Sequence, residues 1–312
     1  MTPDARAPRS RVARTVIERS ALGRRIVDVD DSDCYVCRPH SPGELRHALV
    51  GATLRTAQRR GKSLWCPLDT GGILGVHLGM SGKIVIATAD GTEVDGGDNW
   101  EFGRPPGDYR HARFSLTFRD GGTLHLIDPR RLGRVRLDPP LDDLGPDAAD
   151  IDLPCFLSAL GSGRAPIKAR LLDQHALAGI GNLLTDEILS RAGLNPARPV
   201  HSLSDRERAR LHESVVGTVE DALNGGGVHT LPSVSQRHDR GRCPRDGTTL
   251  LRSSVSGRTT FWCPRHQVAL QPPPLRGGHL RHGRGSDALP TYSAPRSPAP
   301  PTGRVPMHRG RE

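Results

Sequence analysis

The stretch CPRDGTTLLRSSVSGRTTFWCPRH, residues 243–266, sets a Cys-x2-Asp pair and a Cys-x2-His pair at the two ends of a segment, Thr248 to Trp262, broken at Ser256-Gly257. β-favouring residues on either side of a Ser-Gly dipeptide read as two short strands around a tight turn, and such a hairpin carries both pairs to one point. Zinc takes a tetrahedral shell of soft or borderline side chains, and pairs separated by 16 residues suit a β-hairpin zinc finger. Cys243, Asp246, Cys263 and His266 are therefore the expected ligands of one structural Zn2+. Asp246 stands where a second thiolate is commoner, and a shell with a carboxylate holds zinc less tightly than four thiolates. The competing reading is a metal-free hairpin whose cysteines are merely buried.

Upstream of the hairpin the period is helical: Leu153 to Leu160, Ile167 to His175, Leu183 to Ala192, and Ser204 to Leu223. The last opens on a capping box, Ser204 with Glu207, and stops at Gly225-Gly226-Gly227. Between the second and third lies Ala178-Gly179-Ile180-Gly181-Asn182. Glycines let the backbone turn tightly and approach a ligand, and the unpaired N–H groups at the start of the next helix attract an anion. The Asn182 amide can donate to the same phosphate, or cap the helix. Lys168, on the preceding helix, is placed to reach a neighbouring phosphate.

Further upstream, Val12 to Leu22 reads as a helix closed by Gly23, and Ser41-Pro42-Gly43-Glu44 has the spacing of a capping box opening a short helix to Val50. Six short alternating segments follow: Ser63 to Leu68, Ile73 to Leu78, Lys83 to Thr88, Arg113 to Phe118, Thr123 to Ile127 and Arg134 to Leu137. Gly-Gly and Asp-Gly turns punctuate them, the pattern of an antiparallel β-sandwich. The expected architecture is α+β. Its parts are an unmatched N-terminus (1–11), a β-sandwich domain (12–138), a Pro/Asp-rich linker (139–154), a helical domain (155–235), the zinc hairpin (236–270) and a Pro/Gly/Arg-rich tail (271–312) too poor in apolar residues to order itself.

Lys+Arg number 44 against 34 Asp+Glu, for a pI near 10.0, which suggests a polyanionic partner, because neutralised phosphates release counterions. Lysine occurs only at Lys62, Lys83 and Lys168. No stretch approaches 18 apolar residues and the N-terminus has no signal-peptide pattern, so a membrane protein is excluded and a cytoplasmic, nucleoid-associated, monomeric protein is expected. Cys34-Tyr-Val-Cys37 lacks a second pair and reads as incidental.

Helix, Gly-x-Gly-Asn turn, helix and basic hairpin together resemble the helix-two-turn-helix half of the formamidopyrimidine-DNA glycosylase and endonuclease VIII family. Arg59-Arg60-Gly61-Lys62, His77-Leu78-Gly79-Met80-Ser81-Gly82 and Asp128-Pro129-Arg130-Arg131-Leu132-Gly133 resemble further family signatures, in family order. The resemblance implies a DNA-repair enzyme that excises oxidised bases from duplex DNA and nicks the abasic site, with a non-catalytic binder of damaged DNA as the alternative. It also implies roles. Met80, Arg130 and Leu132 would fill the stack vacated by the extruded nucleotide, while Lys62, His77, Lys168, Asn182 and Arg258 would hold the backbone, Lys62 as an auxiliary to catalysis. Leu132 stands where phenylalanine is common in the formamidopyrimidine branch.

Family members begin Met-Pro-Glu, the proline amine attacking C1′ and the glutamate serving as general acid and base. Here the sequence runs Met1-Thr2-Pro3-Asp4, and in the family register the two catalytic positions fall near Ala5 and Arg6, behind extra residues, with neither residue type there. The sequence as written is therefore expected to be impaired in the lyase step, the remaining amines being those of the three lysines and the terminus.

Overall fold

The computed structural model describes residues 9–96, 105–225 and 227–268; the positions of Ala5 and Arg6 and the tail 271–312 lie outside the described residues. The first domain runs α1 (Arg9–Ser20), β1 (Ile26–Asp30), α2 (Glu44–Leu49), β2 (Gln58–Arg60), β3 (Ser63–Pro67), β4 (Ile73–His77), β5 (Lys83–Ala87), β6 (Glu93–Gly96), β7 (Ala112–Phe118), β8 (Thr123–Ile127) and β9 (Arg134–Leu137). Then come α3 (Leu153–Leu160), α4 (Ile167–Leu172), α5 (Asn182–Ala192), α6 (Asp205–Gly225) and α7 (Pro232–Ser235), and the hairpin of β10 (Leu251–Val255) and β11 (Arg258–Trp262).

Among the described residues, nine strands form two antiparallel sheets, ordered β1-β7-β8-β5-β6 and β2-β3-β4-β9. Side chains alternate across a strand, so register decides what each sheet turns inward. Phe114 and Leu116 of β7 lie opposite Leu126 and Leu124 of β8, and Leu74 and Val76 of β4 lie opposite Leu137 and Val135 of β9. With Ile84, Ile86, Leu64 and Cys66 they fill one core, to which α1 adds Val12, Ala13, Val16 and Ile17. Fully burying one such aliphatic or phenylalanine side chain contributes about 1.5–3 kcal/mol.

Five local expectations need correction. α1 begins at Arg9, so residues 9–11 belong to the folded domain and not to an unmatched terminus. Strands β1, β2 and β6 escaped the alternation pattern, because Ile26–Asp30 and Glu93–Gly96 carry acidic residues on an edge or outward face and β2 has three residues. The anticipated capping box at Ser41 is half-made: Ser41 N donates to Glu44 at 3.1 Å, but the helix start is capped by Asp31, whose carboxylate accepts from Gly43 N at 2.9 Å and Arg46 N at 3.1 Å. The helix expected over Ile167 to His175 ends at Leu172. Lastly, the linker is not all linker, since Ala148 and Ile151 are buried in the second core and Asp152 caps α3 by accepting from Cys155 N at 2.8 Å.

That second core is helical: Phe156 and Leu160 of α3, Ile167 and Leu171 of α4, Ile188 and Leu189 of α5, Leu211 and Val215 of α6. The capping box of α6 is present in both directions, Ser204 N donating to Glu207 at 2.9 Å and Glu207 N to Ser204 Oγ at 3.4 Å.

Candidate nucleic-acid interface

The β2–β3 turn docks directly on the glycine-rich turn before α5. Gly61 has φ +58, and a Cβ there would lie 2.5 Å from Gly179 N and 2.8 Å from Ala178 C, so only glycine allows the approach. Asp147 fixes the joint by accepting from Gly61 N at 2.8 Å and pairing with Arg59 at 2.9 Å. Lys62 is thereby pushed against the turn, where its Nζ donates to the Ile180 carbonyl at 2.8 Å. Burial lowers its pKa to about 8, and the Arg258 guanidinium adds to the effect.

His77 of β4 lies opposite Ser63, one residue from Lys62. Its Nδ1 accepts from Gly79 N at 3.0 Å, which leaves the Nε2 proton free to donate outward. Burial, then Lys62, then Arg136 lower the His77 pKa from its ordinary value.

On the other side, Asn182 is the first residue of α5, and Gly181 occupies the cap position with no side-chain cap bond, so the capping role fails. Asn182 Nδ2 instead donates to the Thr259 carbonyl at 3.0 Å, next to Arg258. The same carbonyl accepts from Lys168 Nζ at 3.3 Å and Arg237 at 3.2 Å. Three donors on one oxygen fix the start of β11, and with it the exposed Arg258. Lys168 is thus corrected: wholly buried, it pairs with Asp186 at 2.5 Å and supports the hairpin from within instead of facing a phosphate. Asp186 is the hub, taking Arg237 as a second ion pair and Phe261 N at 3.1 Å.

The residues expected to insert into the stack occupy two abutting turns. Met80 is 65% exposed and Leu132 38%, unusual for apolar side chains of this size, and Arg130 is exposed beside them. Buried Asp128 binds both turns: it accepts from Ser81 Oγ, from Arg130 N at 3.2 Å and from Gly133 N at 2.6 Å. Gly79 has φ +60, and a Cβ there would sit 2.5 Å from the Leu132 carbonyl, so the two turns touch backbone to backbone. Arg131, at φ 54, points the other way and pairs with Asp33 at 2.7 Å.

In the hairpin, Ser256 (φ 50) and Gly257 (φ 71) make the tight turn between β10 and β11. One donor atom from each of Cys243, Asp246, Cys263 and His266 lies within 4.8 Å of the others. His266 Nε2 is buried without a hydrogen bond among the described residues, 3.3 Å from an Asp246 oxygen. Two thiols, an imidazole and a carboxylate converging in this way fit a tetrahedral metal, so the four residues present could hold zinc.

Residues 8–135 match the Formamidopyrimidine-DNA glycosylase N-terminal domain and residues 144–232 the Formamidopyrimidine-DNA glycosylase H2TH domain. The chain belongs to the formamidopyrimidine-DNA glycosylase family. The family protein of Geobacillus kaustophilus is 33% identical over 79% of this chain and 93% of its own length, and that of Arabidopsis thaliana 31% identical over 83% and 70%. Among solved structures, the Lactococcus lactis family protein bound to DNA containing an abasic site superposes with a TM-score of 0.67 at 27% identity, covering 84% of this chain and 99% of that one. Its complex with DNA containing a formamidopyrimidine-guanine lesion gives 0.67 at 26%, with the same coverage.

The α+β fold of two antiparallel sheets and a helix-two-turn-helix domain is therefore that of the family. Lys62, His77, Asn182 and Arg258 converge on one joint, Met80, Arg130 and Leu132 on another, and Lys168 joins neither surface. Sequence reasoning missed Asp128, Asp147, Asp186 and Arg237. Asp128 stood inside a quoted motif, and only its burial shows what it does. Asp147 was hidden by a Pro/Asp-rich segment read as linker, and Asp186 is one more acidic residue on an amphipathic helix. No helix among the described residues is long and apolar enough to cross a membrane.

Proposed function

We propose that this chain is a base-excision repair enzyme acting on duplex DNA that carries oxidised bases or abasic sites. Its reaction would be hydrolysis of the N-glycosidic bond of the damaged base followed by nicking of the strand. One observation supports this above others. Two hydrogen-bond donors and two cations from both domains, His77, Asn182, Lys62 and Arg258, gather at one joint where they would grip a DNA backbone, and exposed Met80, Arg130 and Leu132 would occupy a vacated stack. The Lactococcus lactis relative was solved on such DNA. Anisotropy with abasic duplex, intact duplex and RNA of equal charge at one stated salt concentration tests the reading. Preference for abasic duplex is the expected result; equal affinity for all three would remove it.

A second reading rests on Ala5 and Arg6, near which the family register puts the nucleophilic proline and the glutamate. We propose that a chain with these two residues at those positions binds damaged DNA but forms the sugar Schiff base poorly, since a peptide-bonded nitrogen at Ala5 is an amide and not a nucleophile and Arg6 carries no carboxylate for general acid and base work. Borohydride trapping on an abasic oligonucleotide decides between the two, and a robust covalent adduct would favour the full enzyme. As a repair protein it would work on the nucleoid.

We also propose that Cys243, Asp246, Cys263 and His266 hold one structural Zn2+ that fixes the hairpin bearing Arg258. Chelator-washed protein is expected to retain about one zinc per chain, and harsher chelation to lower the melting temperature together with DNA affinity. Absence of zinc after the mild wash would refute this.

A further inference from the structure

Strand β9 carries two arginines on its outer face, Arg134 opposite His77 and Arg136 opposite Gly75 of β4. Together with Leu132, His77, Ser63 and Pro139 they line a cleft of about 320 Å3. Gly75 gives this cleft a bare backbone floor, since a Cβ there would lie 2.6 Å from Pro139 Cγ. None of the residues lining it is acidic. Among the described residues, neither arginine has a carboxylate within ion-pairing distance. Arg134 is steadied from behind by a 3.1 Å bond to the Tyr35 carbonyl, and Arg136 makes no side-chain hydrogen bond among those residues. Arg136 is nonetheless close enough to His77 to help lower its pKa.

Two unneutralised guanidinium groups in an acid-free cleft constitute a site for an anion. Its position says which one. One wall is His77, part of the Lys62 joint, and another is Leu132, part of the insertion turn, so the cleft lies between the gripping and inserting elements.

We propose that Arg134 and Arg136 form a further phosphodiester site, taking a backbone phosphate of the duplex next to the stack that Leu132, with Met80 and Arg130, would fill. This rests on the reading of the chain as a damaged-DNA-binding protein. The site extends the grip past His77, giving this protein more backbone contact beside a wedge whose leucine stacks less than an aromatic ring.

The test uses the full-length chain and abasic duplex. In wild type, log affinity against log salt gives a slope, which the Arg134→Ala, Arg136→Ala double variant should reduce in magnitude by about 0.9, the value for one phosphate neutralised. Neutral methylphosphonates walked along both strands should reveal one position that weakens wild-type binding several-fold and leaves the double variant unaffected. The Arg134→Lys, Arg136→Lys variant keeps the charge and should restore most of the slope, and urea midpoints of all three should agree. An unchanged slope, or methylphosphonate penalties identical in wild type and double variant, would overturn the proposal. Failure of wild type to prefer abasic over intact duplex would instead strike the functional reading, because the slope can be measured on either duplex.

Discussion

The two halves of the interface are built in opposite ways. Lys62, His77 and Asn182 are half-buried and held by hydrogen bonds, Lys62 across the seam between domains to the Ile180 carbonyl, His77 with Gly79 N and Asn182 with the Thr259 carbonyl each inside its own domain, and exposed Arg258 is anchored through the carbonyl next to it. Met80, Arg130 and Leu132 come from neighbouring turns of one domain and are exposed, the two turns being tied together by a single buried carboxylate that takes Ser81 Oγ, Arg130 N and Gly133 N. The contrast follows from what each must do. A phosphate is recognised by donors fixed in place before it arrives, whereas a side chain that fills a base stack must stay outside the core and gain its apolar burial from DNA.

The sharpest way to break the contrast is to strike each scaffold separately. Asp186→Ala leaves Lys168 and Arg237 without their shared carboxylate in a buried position, and loss of one partner from a buried ion pair costs about 3–5 kcal/mol. Denaturant unfolding should show a loss of that order, and intact and abasic duplex should be weakened alike because Arg258 loses its footing. Asp128→Ala should cost less in stability, about 1–3 kcal/mol for buried donors left unpaired. Its signature is different: the ratio of abasic to intact affinity should collapse towards one while the salt slope stays put. If the two variants behaved identically, the division into grip and wedge would be wrong.

What could be read beforehand divides along the same line. Period-2 alternation in Thr123–Ile127 and Arg134–Leu137 located strands with their observed ends, and helical period located Leu153–Leu160 equally well. Those elements bury one face, and burial leaves a repeating mark in the sequence. The quoted strings fall on turns and a helix start: Lys62 between β2 and β3, Asn182 at the first residue of α5, and Met80 and Arg130 in exposed turns. The carboxylates beneath them were not legible, since Asp128, Asp147 and Asp186 act through tertiary partners 18 to 86 residues away and leave no periodic trace. Lys168 was misassigned for the same reason. A lysine on a short helix looks like a surface cation until Asp186 is found beneath it.

Titration separates the two regions more gently. The free Lys62 ammonium loses its proton at about pH 8 instead of 10.5, because burial and the Arg258 charge oppose it. Its folded pKa lies below the unfolded one, so the charged form works against folding below about pH 8, and that opposition is relieved as pH rises towards 10.5. A bound phosphate acts the other way by holding the proton on. Binding must then take up a proton above about pH 8, and affinity for abasic duplex should fall there by at most about tenfold per pH unit. His77, whose pKa is lowered from 6.5, is neutral at pH 7 and adds a charge only on the acid side, so affinity should rise again below that value. Lys62→Met should flatten the alkaline limb and spare the acidic one, whereas Met80→Ala should shift the whole curve down without changing its shape. An alkaline limb that survived in the Lys62→Met protein would show that the proton belongs elsewhere, and the lysine would then be a packing element of the joint instead of its cation.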